Sequence, residues 1–321
     1  MSLFLSADIG GTKTLLQLSD ATGVSLRQQS FPSARYATLT AILGEFLAEA
    51  GQPAIAAACL AVAGPVSGRR VKFTNLPWEV DADQLAAHFG ISRVVLINDF
   101  EAVGLGIAAL RPADLLTLQS GQPQPHGVRL AVGAGTGLGV ACLTWQGSGH
   151  AVHPSEGGHL DLAPQNELQI ELLRYLQARH GHVSYERVVS GPGLVAIHDF
   201  LRDSGHATPS AVLVHAMQTS DPAAALTQSD EPIARQAVDL FIALYGAAVG
   251  NYALLALPRG GIYLAGGIAA KILPRMQQGD FLAAFLAKGR YTELLRSLPV
   301  HIVTHPNIGL LGAELAARAP G

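Results

Sequence analysis

Cysteine is nearly missing from this chain, with two in 321 residues, Cys59 and Cys142, each inside an apolar run. They read as small buried hydrophobes, which excludes a disulfide-stapled scaffold and a thiolate zinc cluster. Charge is scarce as well, at 14% of residues with a net of -3, and no long basic run offers a footprint for nucleic acid or anionic lipid. Glycine and proline interrupt the longer apolar stretches, so no membrane span is expected. The opening Met1-Ser2-Leu3-Phe4-Leu5 carries no basic leader before Asp8, which favours a cytoplasmic location. Histidine is plentiful at twelve, yet neither a cysteine cluster nor an H-E-x-x-H helix accompanies His150, His153 or His159, which argues against a structural metal. No G-x-S-x-G elbow is present to carry acyl chemistry.

What the chain does have is apolar substance, 49% of its residues, and length enough for two domains. Strands are predicted over 3–9, 14–18, 25–31, 54–63 and 93–97, and helices over 37–49 and 81–88, a mixed α/β sheet domain. The run Arg93-Val94-Val95-Leu96-Ile97 has the character of a buried parallel strand and leads into Asn98-Asp99 and an apparent helix. A carboxylate at the C-terminal end of such a strand stands where open α/β sheets bind ligands; the plainer alternative is that Asp99 caps the helix behind it.

Asp8-Ile9-Gly10-Gly11-Thr12 closes the first strand in a turn whose glycines let backbone N–H groups approach an anion. Asp8 is placed to hold Mg²⁺ through water, an ion that keeps much of its hydration shell. An ordinary Gly-Gly hairpin is the competing account, and a Walker A loop is excluded because Lys13 follows Thr12 and no helix follows the turn. A Pro-, Gly- and Gln-rich stretch over 119–127 reads as a boundary, and after it the opening pattern returns. A strand over 128–132, the turn Gly133-Ala134-Gly135-Thr136-Gly137 and a strand over 138–145 imply a duplicated domain able to close on a polyphosphate. A dinucleotide fingerprint fails here, since its third glycine would fall at Leu138.

Further on, Gly157-Gly158 disfavours helix, so Glu156 and His159 project from a tight loop. Asn166 and Gln169 make a capping-box-like start to a helix reaching His180. Glu186 and Arg187 precede Ser190-Gly191-Pro192-Gly193, a turn at a helix junction, and Pro232 opens a long helix in which Gly246, Ala247 and Gly250 admit a close neighbour. A strand over 261–265 ends in Gly266-Gly267, and a strand over 300–304 and a helix over 308–318 finish the chain.

D-I-G-G-T-K-T, L-I-N-D-F-E-A, G-A-G-T-G-L-G-V, E-G-G-H-L-D-L-A-P, E-R-V-V-S-G-P-G-L, Y-L-A-G-G-I and P-N-I-G-L-L-G occur in this order, and the chain resembles the bacterial glucokinases of the hexokinase-like superfamily over essentially its whole length. The resemblance implies a two-domain, actin-like (ribonuclease H-like) α/β fold with the active site in the interdomain cleft. Residues 1–109 plus 300–321 would form the small domain and 110–299 the large one. It implies transfer of the γ-phosphoryl of ATP, with Mg²⁺, to the 6-hydroxyl of glucose. Asp99 matches the general base, and Asn98, Glu156, His159 and Glu186 match residues that hold the other hydroxyls. Gly10, Gly11 and Thr12 match the first phosphate loop; Gly133, Gly135, Thr136 and Gly137 the second; and Gly266 and Gly267 a pair near the adenosine. A homodimer is implied as well. The related repressor/kinase family shares D-I-G-G-T-K, but its zinc-binding cysteines are absent here, and Lys13-Thr14 replaces the more usual Asn-Ala. Alternatives that keep the sugar are a kinase for mannose, fructose or an N-acetyl hexosamine, and a non-catalytic sugar-responsive regulator, which needs no base at Asp99.

Overall fold

The computed structural model describes residues 2–64, 66–73 and 76–319. The chain divides into two compact units: residues 1–112, 148–154 and 305–321, and residues 113–147 with 155–304. In order, the first unit contains β1 (Leu3–Ile9), β2 (Lys13–Asp20), β3 (Ser25–Pro32), α1 (Leu39–Glu49), β4 (Ile55–Val62), the short pair β5 (Arg70–Lys72) and β6 (Glu79–Asp81), α2 (Ala82–Phe89), β7 (Val94–Asn98) and α3 (Asp99–Ile107). Its main sheet has the order β3–β2–β1–β4–β7, with β1 and β2 antiparallel and β4 and β7 parallel to β1. Leu5, Ala7 and Ile9 of β1 share a core with Ile42, Leu43 and Phe46 of α1, as alternation on a strand and a 3.6-residue repeat on a helix require. Asp81 accepts the Asp83 and Gln84 N–H groups to start α2, and Gly90 closes it in the left-handed conformation.

The chain continues through β8 (Leu115–Gln119), β9 (Arg129–Ala134), β10 (Leu138–Trp145), β11 (His150–Ser155), α4 (Glu167–His180), α5 (Gly191–Asp203), α6 (Ala211–Thr219), α7 (Pro222–Gln228), α8 (Pro232–Ala256), β12 (Gly261–Ala265), α9 (Gly267–Lys271), α10 (Leu273–Met276), α11 (Asp280–Leu286), α12 (Thr292–Arg296) and β13 (Val300–Val303). In the second unit the strands run β10–β9–β12–β13–β8. The pairing scheme β2–β1–β4–β7 is repeated as β10–β9–β12–β13: an antiparallel hairpin, then two parallel strands beside its first member. This is the topological form of the duplication expected from the two glycine turns.

Helix α8 corrects one expectation. Despite its internal glycines it is long and apolar enough to cross a membrane by length and composition, and it is the one such helix among the described residues. Its apolar surface is used inside the second unit, where 72% of the relevant window is buried and Phe241, Leu244 and Tyr245 supply core. Two further expectations need revision. The strand β13, which the resemblance grouped with the small domain, lies between β12 and β8 in the second unit's sheet. The stretch over 119–127 is no boundary: Gln122 and Gln124 donate their N–H groups to Ser297 and Arg259 carbonyls at 2.7 and 2.8 Å, both in the second unit. The first division between units falls instead at Pro112 and Ala113.

The last helix, α13 (Ile308–Arg318), returns to the first unit. Ala313 and Ala317 pack with Cys59, Ala61, Ile97 and Ala102 on the sheet face opposite α1. Its closeness to α3 depends on Gly312, where a Cβ would lie 1.7 Å from the Ala102 carbonyl oxygen.

Candidate active site

Parallel strands in register bring their C-terminal ends to one edge. In the first unit Ile9 pairs with Val62 and Val62 with Asn98, so that edge carries the turn after β1, Gly64, and Asn98 with Asp99. The turn is braced from the residue after β3: Ser33 donates its hydroxyl to the Gly10 carbonyl at 2.8 Å and its N–H to the Thr12 carbonyl at 3.1 Å, while the Gly10 N–H reaches the Lys13 carbonyl at 2.9 Å. Nothing in the sequence alone signalled Ser33, whose role arises from strand pairing. Lys13 is exposed.

Asn98 and Asp99 share the start of α3. Asn98 is the N-cap of α3; its Oδ1 accepts the Phe100 and Glu101 N–H groups at 2.9 and 3.3 Å, and its Nδ2 donates to the Gly64 carbonyl at 3.2 Å. Asp99 is therefore the first residue of the helix, half-buried at the strand edge, with one oxygen also accepting the Phe100 N–H at 2.9 Å. Both polar side chains thus accept N–H groups of the first turn, and an acidic residue there also suits the positive end of the helix.

Asp8 stands two strands across the sheet, in β1, with β4 between. Burial pushes its carboxyl above the ordinary value, and the charge of Lys13 pulls it partly back. The start of α13 lies against it, with Gly309 so close that a Cβ there would be 3.1 Å from Asp8 Oδ2. A half-buried carboxylate is a hard oxygen donor that fits Mg²⁺, which retains several waters and takes few protein ligands. Among the described residues no group of three or more His, Cys, Asp or Glu side chains gathers as a metal cage.

In the second unit the remaining candidates surround Leu138, the first residue of β10. The turn over 133–137 ends there; its Gly135 N–H reaches the Gly137 carbonyl at 2.8 Å. Gly266 follows β12 with φ at 87°, and a Cβ on it would meet the Ala134 carbonyl oxygen at 2.5 Å, so the two glycine turns lie side by side. The loop holding Glu156 and His159 packs on the same residue through Gly158, and its glycines, read as disfavouring helix, form a single 3-10 turn over Gly157–His159. Glu156 and His159 are exposed, with Nε2 and Oε2 3.9 Å apart. Glu186 comes from the 3-10 turn Tyr185–Arg187, and its Oε2 accepts the Leu138 N–H at 2.9 Å. A cavity of about 270 Å³ opens beside it, lined by Thr136, His180, Glu186, Arg187 and Ser190 among others.

Two sheets of repeated pairing order, each opening on a hairpin with a glycine turn, define an actin-like α/β fold. A family model described as Glucokinase matches residues 5–320. A curated glucokinase of Nostoc punctiforme is 45% identical over 338 residues, covering 99% of both chains. Among solved structures, a glucokinase from an Antarctic psychrotroph is 30% identical with a TM-score of 0.80 and 99% coverage of both chains. A ROK family glucokinase from Streptomyces griseus, in complex with glucose and AMPPNP, has the same fold at 20% identity and a TM-score of 0.67, covering 99% of both chains. The chain belongs to the glucokinase family and is an enzyme that phosphorylates glucose.

Proposed function

We propose that this enzyme transfers the γ-phosphoryl group of ATP to the 6-hydroxyl of glucose with Asp99 as general base. The observation that carries the reading is the place of Asp99, half-buried at the C-terminal edge of the parallel strands, on the same edge as the glycine turn after β1. The turns after β1 and β9 would hold the phosphates through backbone N–H groups, and Gly266 and Gly267 would approach the adenosine. Mg²⁺, held through water at Asp8, would supply neutralisation of phosphate charge. Asn98, Glu156, His159 and Glu186 would hold the remaining sugar hydroxyls, and such a site rejects analogues lacking one because its own polar groups are left unpaired.

In the transfer, the sugar O6 forms a bond to the γ-phosphorus as the bond to the bridging oxygen of the leaving diphosphate breaks. A carboxylate is too weak a base to ionise the alcohol beforehand, so Asp99 orients the hydroxyl and accepts its proton late, when the loose transition state has made it acidic. Support for the nucleotide comes from the AMPPNP complex of the Streptomyces griseus neighbour and from the two N–H-bearing turns. The reading extends to a cytoplasmic homodimer, which rests on family resemblance.

A coupled assay of ADP formation with glucose, 6-deoxyglucose and a hexose panel tests it. Turnover with glucose that vanishes with the 6-deoxy sugar is expected. Asp99→Ala should bind ADP nearly as wild type and lose turnover by several orders of magnitude, and near-normal turnover in that variant would remove Asp99 from the base role.

A further inference from the structure

Glu186 does something a sugar ligand need not do. Its Oε2 accepts the N–H of Leu138 at 2.9 Å, directly after the turn over 133–137. Gly137 leaves room for this contact, since a Cβ on it would lie 2.5 Å from the same oxygen. A second tie grips the turn from the same segment, the Gly191 N–H donating to the Gly135 carbonyl at 2.8 Å. The segment is itself held: Ser190 Oγ donates to the Glu186 carbonyl at 2.7 Å and accepts the Gly193 N–H at 3.0 Å. Tyr185, 2% exposed, is fixed by the Asn251 amide on its hydroxyl at 2.6 Å. A carboxylate anchored on so rigid a base sets the position of whatever it binds.

We infer that Glu186 is a positioning residue for the second phosphate-binding turn, and that the same carboxylate couples sugar to nucleotide. One oxygen fixes the turn; the other, on the reading proposed above, meets a sugar hydroxyl. A bound sugar then holds the side chain against the Leu138 N–H and orders the turn for the phosphates, so each ligand raises the affinity for the other by the same factor.

The test compares wild type with Glu186→Asp, one methylene too short to reach Leu138, and Glu186→Gln, which keeps an acceptor oxygen at full length. In the sugar-free protein, amide hydrogen exchange of the peptide covering 134–139 should be faster in Glu186→Asp and return to the wild-type rate in Glu186→Gln. ADP dissociation constants from calorimetry without sugar should follow, weakening about tenfold in Glu186→Asp, as for loss of one hydrogen bond to a charged group, and staying within about twofold of wild type in Glu186→Gln. Exchange and ADP binding unchanged in Glu186→Asp, with only glucose affinity lost, would overturn the positioning role and leave the kinase reading intact. Wild-type protein that binds no ADP would overturn the kinase reading and this coupling with it. Glu186→Gln behaving like Glu186→Asp would also refute the proposal, because the acceptor would then not be what matters.

Discussion

Gly312→Ala should damage catalysis from a position that touches no ligand. The added Cβ would lie 1.7 Å from the Ala102 oxygen, 2.6 Å from the Ala102 carbonyl carbon and 2.8 Å from the Gly106 nitrogen, all backbone atoms that cannot rotate aside. Comfortable separation from carbon is about 3.5 Å, so α3 and α13 must part by roughly 1.5–2 Å. Asp99 begins α3, three residues before Ala102, and moves with it. A misplacement of about 1 Å costs on the order of 10²-fold in rate, and overpacking a close-fitting interior typically costs about 1–3 kcal/mol. A matched control is Gly44→Ala in the middle of α1, where nothing lies within 4 Å of the new atom; relief of glycine's helix penalty should stabilise that variant by about 0.5–1 kcal/mol. Steady-state kinetics and urea midpoints on both variants give the comparison. A Gly312→Ala enzyme with wild-type kcat and midpoint would mean that the two helices are not packed at this distance and that Asp99 is not set by them.

Asn98→Ala should lower stability by about 1 kcal/mol for the lost cap, with about 0.5–1.5 kcal/mol more for the Gly64 carbonyl left without its donor. Asn98→Asp, which keeps the capping oxygen, should recover the first part only, and equal unfolding midpoints for the two variants would contradict the capping geometry. Burial lowers the pKa of His301, whose Nδ1 lies 3.0 Å from Thr117 Oγ1. Above the ordinary histidine value the ring is neutral in both folded and unfolded chains; as pH falls through that value the unfolded chain takes the proton first, so stability drops on acidification until the folded value is passed. His301→Gln should flatten that slope as pH falls below the ordinary histidine value, and melting curves that run parallel to wild type would exclude the histidine as its cause.

Much of this architecture is legible in the residues because the signals are local. Leu138–Trp145, Gly261–Ala265 and Ile308–Arg318 appear where glycine or proline bounds an apolar run, and the Asn166 start of α4 reads directly. There the Asn166 Oδ1 takes the Gln169 N–H at 3.0 Å, although the returning Gln169 oxygen finds the Gln165 N–H at 2.8 Å, one residue earlier than a capping box has it. The pair β5 and β6 escapes notice because each is three residues of alternating charge and valine, too short for periodicity to register. The stretch over 119–127 misleads because loop composition cannot reveal that its backbone is tied to Ser297 and Arg259. At the candidate site, residue types and turns are readable, whereas Ser33 on the first turn and Glu186 on the second depend on contacts across 23 and 48 residues that only the folded chain brings together.

The return of α13 to the first unit also governs how the protein must be made. Cys59, Ala61, Ile97 and Ala102 are shielded by Ala313 and Ala317, which leave the ribosome about two hundred residues after α3 is complete. At roughly 5–20 residues per second that is a delay of about 10–40 s. During it the earlier-born half carries an open alanine and cysteine face, while the later-born half already has nearly everything it needs to finish. A chain ending before residue 308 would lack the helix that covers this face of the first unit.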